Sequence, residues 1–358
     1  MYYTTTVIPY TLHFKNPAGT SRGTYLTHDV RYVAVARSGN ENGRYGIGEC
    51  APLPALSCDD LPGYETILQN ACRELEATGR LDTEKLRPYP SILFGLESAL
   101  LHLQAGKPAL WDTPFSRGEA GIPINGLIWM GNYREMLARI EEKIEAGFRC
   151  IKLKIGSIRF AEELDLLKRI RNRFTPADIE LRVDANGAFL PADAMEKLNR
   201  LAELGLHSIE QPIRAGQWEE MARLTASTPL PIALDEELIG CHTPEGKRRL
   251  LETIRPQYII LKPSLHGGIA GCTEWIEAAG KVKAGWWVTS ALESNIGLNA
   301  IAQWCATLDN PLPQGLGTGM LYTDNIPYPL SVKADRLWFD PAGGADFSRL
   351  CARNRLTL

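Results

Sequence analysis

Three carboxylates stand at matched places in the second half of the sequence. Asp184, Glu210 and Asp235 each end, or directly follow, a short run of apolar residues. Consecutive parallel strands deliver the residues at their carboxyl ends to one edge of a sheet, so these acids are predicted to converge. Three neighbouring negative charges repel one another strongly unless a cation joins them. We therefore expect the three acids to be metal ligands.

The predicted metal site offers only oxygen donors. Its motifs contain no His or Cys, which favours Mg²⁺, with Mn²⁺ as a second choice, over Zn²⁺. The alternative is that each acid caps the helix that follows it, which explains one acid better than three at matched positions. Glu236 and Glu237, directly after Asp235, are expected to support the ligands or to lie at the surface.

Lysines flank the three acids along the chain. Lys152 and Lys154 lie one predicted strand before the acids, and Lys262 lies one strand after them. Residues two apart in a strand share a face, so the first two are predicted to point inward together. A nearby metal and other ammonium groups lower the pKa of a lysine, which makes Lys154 a candidate base. The alternative, especially for Lys152, is that the lysines only neutralise the acids.

A lysine base, a divalent metal and carboxylate ligands together indicate one kind of chemistry. The proton next to a carboxylate is very weakly acidic, so its removal requires concentrated positive charge beside the enediolate that forms. The constellation therefore predicts proton abstraction next to a carboxylate.

Strand-like and helix-like segments alternate from about residue 120 onward. Such alternation predicts parallel βαβ units, arranged as a closed barrel or as a doubly wound sheet. The predicted strands are 122–129, 150–155, 179–183, 208–210, 232–235, 258–262 and 286–289, and helix-like segments include 133–146, 159–173, 191–204, 218–226 and 269–279.

The spacing of the charged strand ends favours the barrel. They follow one another at intervals of about 25 to 30 residues, one βα unit each. An open sheet brings residues to one site only from strands beside its switch point, whereas every strand of a barrel ends at one mouth. The predicted fold class is α/β, a modified TIM-type (β/α)7-8 barrel over residues 116–330. Residues 312–316 are a proline-rich candidate for a last strand.

The first 115 residues have a different pattern, in which strands precede helices. A strand meander followed by helices predicts an α+β capping domain over 1–115, with residues of about 330–358 packing back on it. The predicted strands are 7–15, 23–38 and 45–50, with a turn at 40–43, and the predicted helices are 61–78 and 91–104.

The composition is that of a globular protein with a small-molecule partner. The chain has 358 residues, of which 44% are hydrophobic and 23% charged, and a formal net charge of -3. These values exclude disordered and collagen-like classes, and they supply no basic field for a nucleic acid or an anionic membrane. The oligomeric state stays open.

The predicted location is cytoplasmic. The first residues lack the basic and apolar regions of a secretory signal. Eight cysteines are scattered without any C-x-x-C pair, which is typical of free thiols in a reducing compartment.

The charged motifs as a set resemble the enolase superfamily, in its muconate lactonizing enzyme-like branch with lysines on the second and sixth barrel strands. The stretches 46–54, 290–297 and 313–319 look like those of the o-succinylbenzoate synthases of menaquinone biosynthesis. The motifs that carry the resemblance are Lys152-x-Lys154, Asp184-x-Asn186, Glu210-Gln211-Pro212, Asp235-Glu236 and Lys262-Pro263.

The resemblance implies a role for each charged residue. Asp184, Glu210 and Asp235 would bind the metal. Lys154 would remove the α-proton, forming an enediolate, and then assist departure of the β-hydroxyl from the same face. Lys262 would be a cation on the opposite face. The implied reaction is syn dehydration of 2-succinyl-6-hydroxy-2,4-cyclohexadiene-1-carboxylate to 2-succinylbenzoate, with a small carboxylate as the partner.

Further residues are expected around the substrate on the same resemblance. Residues 52–56 would form a capping loop that closes over the mouth and excludes water. Arg182 is expected to make a structural ion pair. The residues expected to bind or support the substrate are Lys152, Asn186, Ser290, Gly315, Gly317 and Thr318.

Other activities on the same scaffold remain alternatives. Dipeptide epimerases and muconate cycloisomerases resemble each other in carrying Asp-x-Asp at the last strand, where this chain has Leu316-Gly317-Thr318. N-succinylamino acid racemases use the same lysines and acids and stay open. Sugar-acid dehydratases typically use a His on a later strand, and His266 is interpreted as a loop residue. A non-catalytic binding protein would need no paired acid/base groups.

Overall fold

The computed structural model describes residues 2–20, 23–39 and 43–354, so the turn predicted at 40–43 lies almost wholly outside the described residues. Within these ranges the strands form three sheets: an antiparallel sheet near the N-terminus, a parallel sheet through the middle and a small antiparallel sheet near the C-terminus. No helix in the described ranges is long and apolar enough to cross a membrane.

The N-terminal sheet is an antiparallel meander, as predicted. Its first strand begins earlier than expected because Thr4 and Thr6 pair with Ala36 and Ala34, and β-branched threonines suit a pleated surface. The strands are β1 (Tyr3–Thr20), β2 (Gly23–Arg37) and β3 (Tyr45–Cys50).

Helices cover one face of this sheet. Val33 and Val35 of the sheet share a buried core with Leu68 and Leu96 of the helices. Close approach depends on Gly48, where a Cβ would lie 1.9 Å from the carbonyl oxygen of Gly95, so a larger residue would push helix and sheet apart. The helices are α1 (Tyr64–Thr78), α2 (Thr83–Leu86) and α3 (Pro90–Ala105).

A seven-stranded parallel sheet occupies the middle of the chain, in the order β11-β10-β9-β8-β7-β6-β5. Helices follow its strands, and the strands are buried on both faces, as parallel sheets require. The elements are β5 (Gly126–Ile128), α4 (Tyr133–Glu145), β6 (Cys150–Lys154), α5 (Phe160–Arg171), β7 (Glu180–Asp184), α6 (Pro191–Ala202), β8 (Ser208–Glu210), α7 (Trp218–Ser227), β9 (Ile232–Leu234), α8 (Pro244–Ile254), β10 (Tyr258–Leu261), α9 (Gly268–Val282), β11 (Gly285–Val288) and α10 (Asn295–Cys305).

The segment predicted as a last strand at 312–316 bridges both edges of this sheet. The Gly315 amide donates to the carbonyl of Val288, the last residue of β11, at 2.8 Å. The Gln314 amide donates to the carbonyl of Pro123, also at 2.8 Å, just before β5. Among the described residues, this segment therefore connects the two edge strands of the sheet, β11 and β5, by hydrogen bonds.

The single strand predicted at 122–129 is wrong. The chain changes partner at Ile124, whose amide donates to the Asp335 carbonyl at 2.8 Å. Before this point β4 (Ile122–Pro123) pairs with the C-terminal hairpin, and after it β5 joins the parallel sheet. A periodic apolar pattern cannot show such a change of partner, because both short strands bury their side chains.

The C-terminal residues lie against two different parts of the molecule. The hairpin β12 (Leu330–Lys333) and β13 (Arg336–Phe339) pairs with β4. In α11 (Ser348–Asn354), Leu350 is fully buried in a cluster with residues of the N-terminal sheet. Helix α11 therefore packs against the N-terminal sheet, whereas the hairpin pairs with β4, and 355–358 lie outside the described residues.

The helices named from the sequence omit the short α2 and α11 and the longer α8 and α10. All ten residues of α10 after Asn295 are buried, so the helix has no polar face and no amphipathic period. Its N-terminal signal is Ser294, whose side chain accepts a hydrogen bond from the amide of Ile296. Helix α8 begins in the same way at Thr243, followed by Pro244.

Candidate active site

The carboxyl edge of the parallel sheet brings the predicted acids and lysines together. Lys154, Asp184 and Glu210 are register partners across β6, β7 and β8. Asp235 directly follows β9, and Lys262 directly follows β10. Five charged side chains from five adjacent strands therefore lie in one row along this edge.

Lys152 and Lys154 point to the same side of β6, as their spacing predicts. Their Nζ atoms lie 3.2 Å and 3.5 Å from the same oxygen, Oδ2 of Asp184. Lys152 is buried and also donates to Oε2 of Glu210. Lys154 lies one step nearer the edge, where it donates to Oδ1 of Asn186 at 3.0 Å.

Electrostatics at the edge make Lys152 a neutralising cation. Burial opposes its charge, but the carboxylates of Asp184 and Glu210 raise its pKa above the ordinary value. This favours the neutralising alternative for Lys152, while the base role predicted for Lys154 stays a prediction. Asp235 and Glu210 likewise raise the pKa of Lys262 although burial opposes its charge, which agrees with the cation predicted there.

The pKa values of two of the acids are shifted in opposite directions. Although burial opposes ionisation, the ammonium groups of Lys152 and Lys154 hold the pKa of Asp184 well below its usual range. Burial and the neighbouring Asp184 raise the pKa of Glu210 well above its usual range. Because Glu210 is buried beside Asp184, its ionised form needs further positive charge nearby.

Two buried carboxylate oxygens without hydrogen-bond partners indicate where a cation could bind. Oε1 of Glu210 and Oδ1 of Asp235 are buried and lack a hydrogen-bond partner among the described residues. Such atoms suit a hard cation such as Mg²⁺, which prefers oxygen ligands. As they stand, no three His, Cys, Asp or Glu side chains of the described ranges form a metal-ligating group. Lys152 and Lys262 hold the facing oxygens of Glu210 and Asp235 instead.

Strained turns after β7 and β8 position the site. Asn186 and Gln211 have positive φ values of 44° and 38°, in the left-handed region that side chains rarely adopt. The Asn186 amide donates to Oδ1 of Asp184 at 3.0 Å. Oε1 of Gln211 accepts from the Asp235 amide at 3.2 Å, so each turn holds one predicted ligand in place.

Glu236 and Glu237 are both buried, which corrects the option that they lie at the surface. Oε1 of Glu236 accepts from Nδ2 of Asn186 at 2.9 Å. Oε2 of Glu237 accepts from Nε2 of Gln211 at 3.0 Å. Both acids therefore support the turns that position the predicted ligands.

An apolar cluster lies over the carboxyl edge, and we call it the mouth cluster. Leu53 and Leu56 of the predicted capping loop contribute to it, in contact with loops of the parallel sheet. The ring of Trp129 lies 5.8 Å from Nζ of Lys154, which connects the cluster to the charged row. The mouth cluster consists of Leu53, Leu265, Ala291, Leu292, Phe14, Tyr25, Leu56, Trp129, Ile239 and Leu321.

Some of the predicted substrate contacts after β11 already have hydrogen-bond partners within the protein, and others do not. The Ser290 hydroxyl donates to Glu293, and the Gly315 amide donates to Val288, so neither proton is free for a ligand. This corrects the expectation for the Gly315 backbone. Gly317 has no close neighbour that would exclude a side chain. The buried hydroxyl of Thr318 has no partner among the described residues and stays a candidate contact.

Arg182 and His266 are structural. Nε of Arg182 lies 2.7 Å from Oε1 of Glu180, and its guanidinium covers the ring of Trp287. His266 lies in the loop between β10 and α9, as interpreted from the sequence, and its Nδ1 accepts from the Lys262 amide at 3.0 Å. Burial lowers the pKa of His266 to about 3, so it is neutral.

Sequence reasoning gave no role to three residues of the site. Glu49 and Glu293 are fully buried acids within the stretches 46–54 and 290–297, and Trp129 follows β5. The signal for the acids was an ionisable residue inside an apolar stretch, which requires a buried partner.

Comparison with known proteins shows which family this chain belongs to. Residues 135–344 match the family model described as enolase C-terminal domain-like. An o-succinylbenzoate synthase from Desulfotalea psychrophila (strain LSv54) is 46% identical over 90% of this chain and 95% of that protein. The crystal structure of MenC from Desulfotalea psychrophila LSv54 has a TM-score of 0.79 at 41% identity, covering 94% of this chain and 100% of that chain.

More distant structures share the fold alone. The L-Ala-D/L-Glu epimerase from Bacillus subtilis has a TM-score of 0.82 at 20% identity, covering 97% of this chain and 100% of that chain. A muconate lactonizing enzyme from Pseudomonas fluorescens has a TM-score of 0.79 at 22% identity, covering 98% of each chain.

Proposed function

The chain belongs to the enolase superfamily, and from this premise we propose how its lysines and acids perform the reaction of an o-succinylbenzoate synthase. It is a carbon–oxygen lyase of that type. The reaction, a step of menaquinone biosynthesis, removes water from 2-succinyl-6-hydroxy-2,4-cyclohexadiene-1-carboxylate and forms 2-succinylbenzoate.

Lys154 is the proposed acid/base. Its Nζ stands at the carboxyl end of β6, held by Asn186 at 3.0 Å and beside Asp184 at 3.5 Å. As a neutral amine it takes the α-proton, and as an ammonium it returns that proton to the departing β-hydroxyl. The C–H and C–O bonds break on one face, a C=C bond completes the aromatic ring, and water leaves.

Lys262 is the proposed cation on the other face. It lies across the row of acids from Lys154, since β10 and β6 are separated by three strands. Its ammonium contacts Oδ2 of Asp235 and stays charged, so it can balance the negative charge of the enediolate.

Asp184, Glu210 and Asp235 are the proposed metal ligands. Members of the superfamily generally use a divalent metal. The proposed ion is Mg²⁺, with Mn²⁺ as the second choice, because the donor set is oxygen only. When bound, the cation supplies positive charge beside the substrate carboxylate.

Supporting residues surround the proposed substrate position. Lys152 neutralises two of the acids, and Asn186 orients Lys154. The free hydroxyl of Thr318 is the proposed contact to a substrate oxygen. The mouth cluster supplies apolar surface for the cyclohexadiene ring and excludes water from the charged row.

The wider architecture is proposed as a (β/α)7-8 barrel over 116–330 under a capping domain over 1–115. The connection made by Gln314 and Gly315 between the two edge strands supports closure. A cytoplasmic location is proposed with it, and the free thiols of all eight cysteines support a reducing compartment.

The observation that carries the proposed mechanism is the row of two lysines and three acids along one sheet edge. Turnover is measured as the ultraviolet absorbance change of the cyclohexadiene substrate with Mg²⁺ or Mn²⁺, beside an assay of N-succinylamino acid racemisation. We expect metal-dependent dehydration. Racemisation without dehydration would contradict the synthase assignment.

Lys154→Ala tests the proposed base. We expect kcat to fall by about 10²- to 10⁴-fold, the usual worth of a general acid/base, with the chain still folded at the assay temperature. Lys168→Ala, an exposed lysine of α5, is the matched control and should keep native turnover. Native turnover by Lys154→Ala would refute the assignment of the base.

A further inference from the structure

The carboxylate of Glu293 lies between the loops that follow β10 and β11. Its side chain is fully buried. One oxygen accepts from the hydroxyl of Ser264, in the β10 loop. The other accepts from the Ser290 hydroxyl at 2.5 Å and from the Ala291 amide at 2.7 Å, both in the β11 loop. One carboxylate therefore ties the two loops together through three donors.

Ser264 is the centre of the turn that carries Lys262. The amides of Leu265 and His266 donate to the Lys262 carbonyl at 2.8 Å and 2.9 Å, and the Lys262 amide donates to Nδ1 of His266 at 3.0 Å. Ser264 is fully buried, and its side chain is the link from this turn to Glu293. A displaced Ser264 would therefore move Lys262.

The β11 loop needs to be held because its backbone is strained. Leu292 has a positive φ of 67°, which is costly for a branched side chain. Its carbonyl accepts from the Tyr322 hydroxyl at 2.6 Å, and its amide donates to Ser290 at 3.1 Å. Leu292 belongs to the mouth cluster, so the strained loop presents apolar surface over the charged row.

We propose that Glu293 is a positioning residue for the dehydration, fixing the Lys262 turn and the β11 loop in one geometry. Its carboxylate holds Ser264, and this keeps the Lys262 ammonium at the face opposite Lys154. The inference rests on the proposed function, since it needs the role given there to Lys262. A displacement of about 1 Å in such a group can cost about 10²-fold in rate.

Glu97 provides a matched control. Its carboxylate also accepts from backbone amides, those of Ile269 at 2.6 Å and Ala270 at 3.1 Å, and it also joins two parts of the chain, α3 and α9. It makes no hydrogen bond to the Lys262 turn in the described structure. Loss of either carboxylate removes hydrogen bonds of similar kind, but only Glu293 is bonded to the turn that carries Lys262.

The test compares Glu293→Met with Glu97→Met in the full chain with saturating Mg²⁺. We expect Glu293→Met to lower kcat by about 10²-fold with little change in KM, and Glu97→Met to keep kcat within about twofold of native. Both should lower the thermal unfolding midpoint. Equal kcat values in the two variants would overturn the proposal.

Glu293→Gln is the conservative variant. Its amide oxygen can accept from Ser290 and Ala291, and its NH₂ can donate to the oxygen of Ser264, so we expect about a tenth of native kcat or more. If Glu293→Met does not fold, the proposal is tested with Glu293→Gln and Ser264→Ala instead. Native kcat in Ser264→Ala would overturn the proposal, whereas a fall of about tenfold at constant KM would support it.

A crystal structure of Glu293→Met separates this inference from the proposed function. We expect the turn at 262–266 to be displaced and the Lys262 ammonium to leave Asp235, whether or not the native chain dehydrates the cyclohexadiene substrate. A turn superimposable on the native one would overturn the positioning role. Lack of dehydration by the native chain would overturn the proposed function and the effect of Glu293 on that reaction, while a displaced turn would still show that Glu293 positions Lys262.

Discussion

At the scale of single residues, the site works because charges of opposite sign are buried together. Lys152 is the clearest case, since its ammonium lies 3.2 Å from Asp184 and also contacts Glu210. A buried carboxylate without a cation is expensive, so the lysine lets both acids stay within the protein. The acids in turn raise the pKa of Lys152 and keep it charged, which separates its role from that of a base.

Lys152→Met tests this balance. Removing one partner of a buried ion pair costs about 3 to 5 kcal/mol, so the free energy of unfolding should fall by that order when a chelator is present. A bound divalent cation replaces part of the lost charge, so saturating Mg²⁺ should stabilise the variant more than the native chain. Chemical denaturation with and without Mg²⁺ measures both effects. Equal stabilisation of the two chains by Mg²⁺ would contradict the neutralising role.

The residues that could be predicted from the sequence are those at the ends of strands. Asp184, Glu210 and Asp235 converge because parallel strands all end at one edge, a rule that needs only the order of the elements. Glu49 and Glu293 could not be assigned in this way, since each binds a residue of another loop or element, Ser294 for Glu49 and Ser264 for Glu293. Glu49 accepts from Ser294, which is 245 residues away.

At the scale of elements, strand and helix types were predictable where the sequence has a period. Helix α10 has none because it is buried all round, and the strand predicted at 122–129 divides between two sheets because its partners change at Ile124. Both features depend on what packs against the segment, and a local pattern does not contain that information.

The start of α10 depends on an acid from the other sheet. Oε1 of Glu49, in β3, accepts from the Ser294 amide at 2.8 Å, and Oε2 accepts from the Gly297 amide at 2.8 Å. Amides at the start of a helix have no partner within it, and a carboxylate suits their partial positive charge. Glu49 thereby joins the N-terminal sheet to the helix that follows the β11 loop.

Glu49→Gln should change how stability depends on pH. Burial raises the pKa of Glu49 from 4.5 to about 7, even though Ser294 favours the charged form. Because the folded chain holds this proton more tightly, the stability it contributes is complete below pH 4.5 and is lost as the pH rises through 7. The native chain should lose about 3 kcal/mol relative to Glu49→Gln over that window.

Urea denaturation of both chains between pH 4.5 and 8 measures the difference. Comparing the two chains at each pH removes the contribution of the other titrating groups. A difference that stays constant, or that grows in favour of the native chain as the pH rises, would contradict the raised pKa.

At the scale of the whole molecule, polar contacts join the N-terminal part to the parallel sheet. Glu274 of α9 binds Arg87, which follows α2, at 2.7 Å, and Lys247 of α8 at 2.7 Å. Lys247 is fully buried, so Glu274 is the anion that keeps its charge inside the protein. The mouth cluster lies between the same two parts, and its geometry therefore depends on how firmly they are joined.

Glu274→Ala should weaken that junction. It leaves Lys247 buried without its carboxylate and removes one of the two carboxylates that bind Arg87, so we expect a loss of about 3 to 5 kcal/mol in the free energy of unfolding. Glu277→Ala, an exposed glutamate of the same helix, is the control and should stay within about 0.5 kcal/mol of native. Because the mouth cluster needs both parts in register, KM for the substrate should rise in Glu274→Ala at a temperature where the chain is still folded. Loss of stability with an unchanged KM would show that the junction holds the molecule together without shaping the mouth.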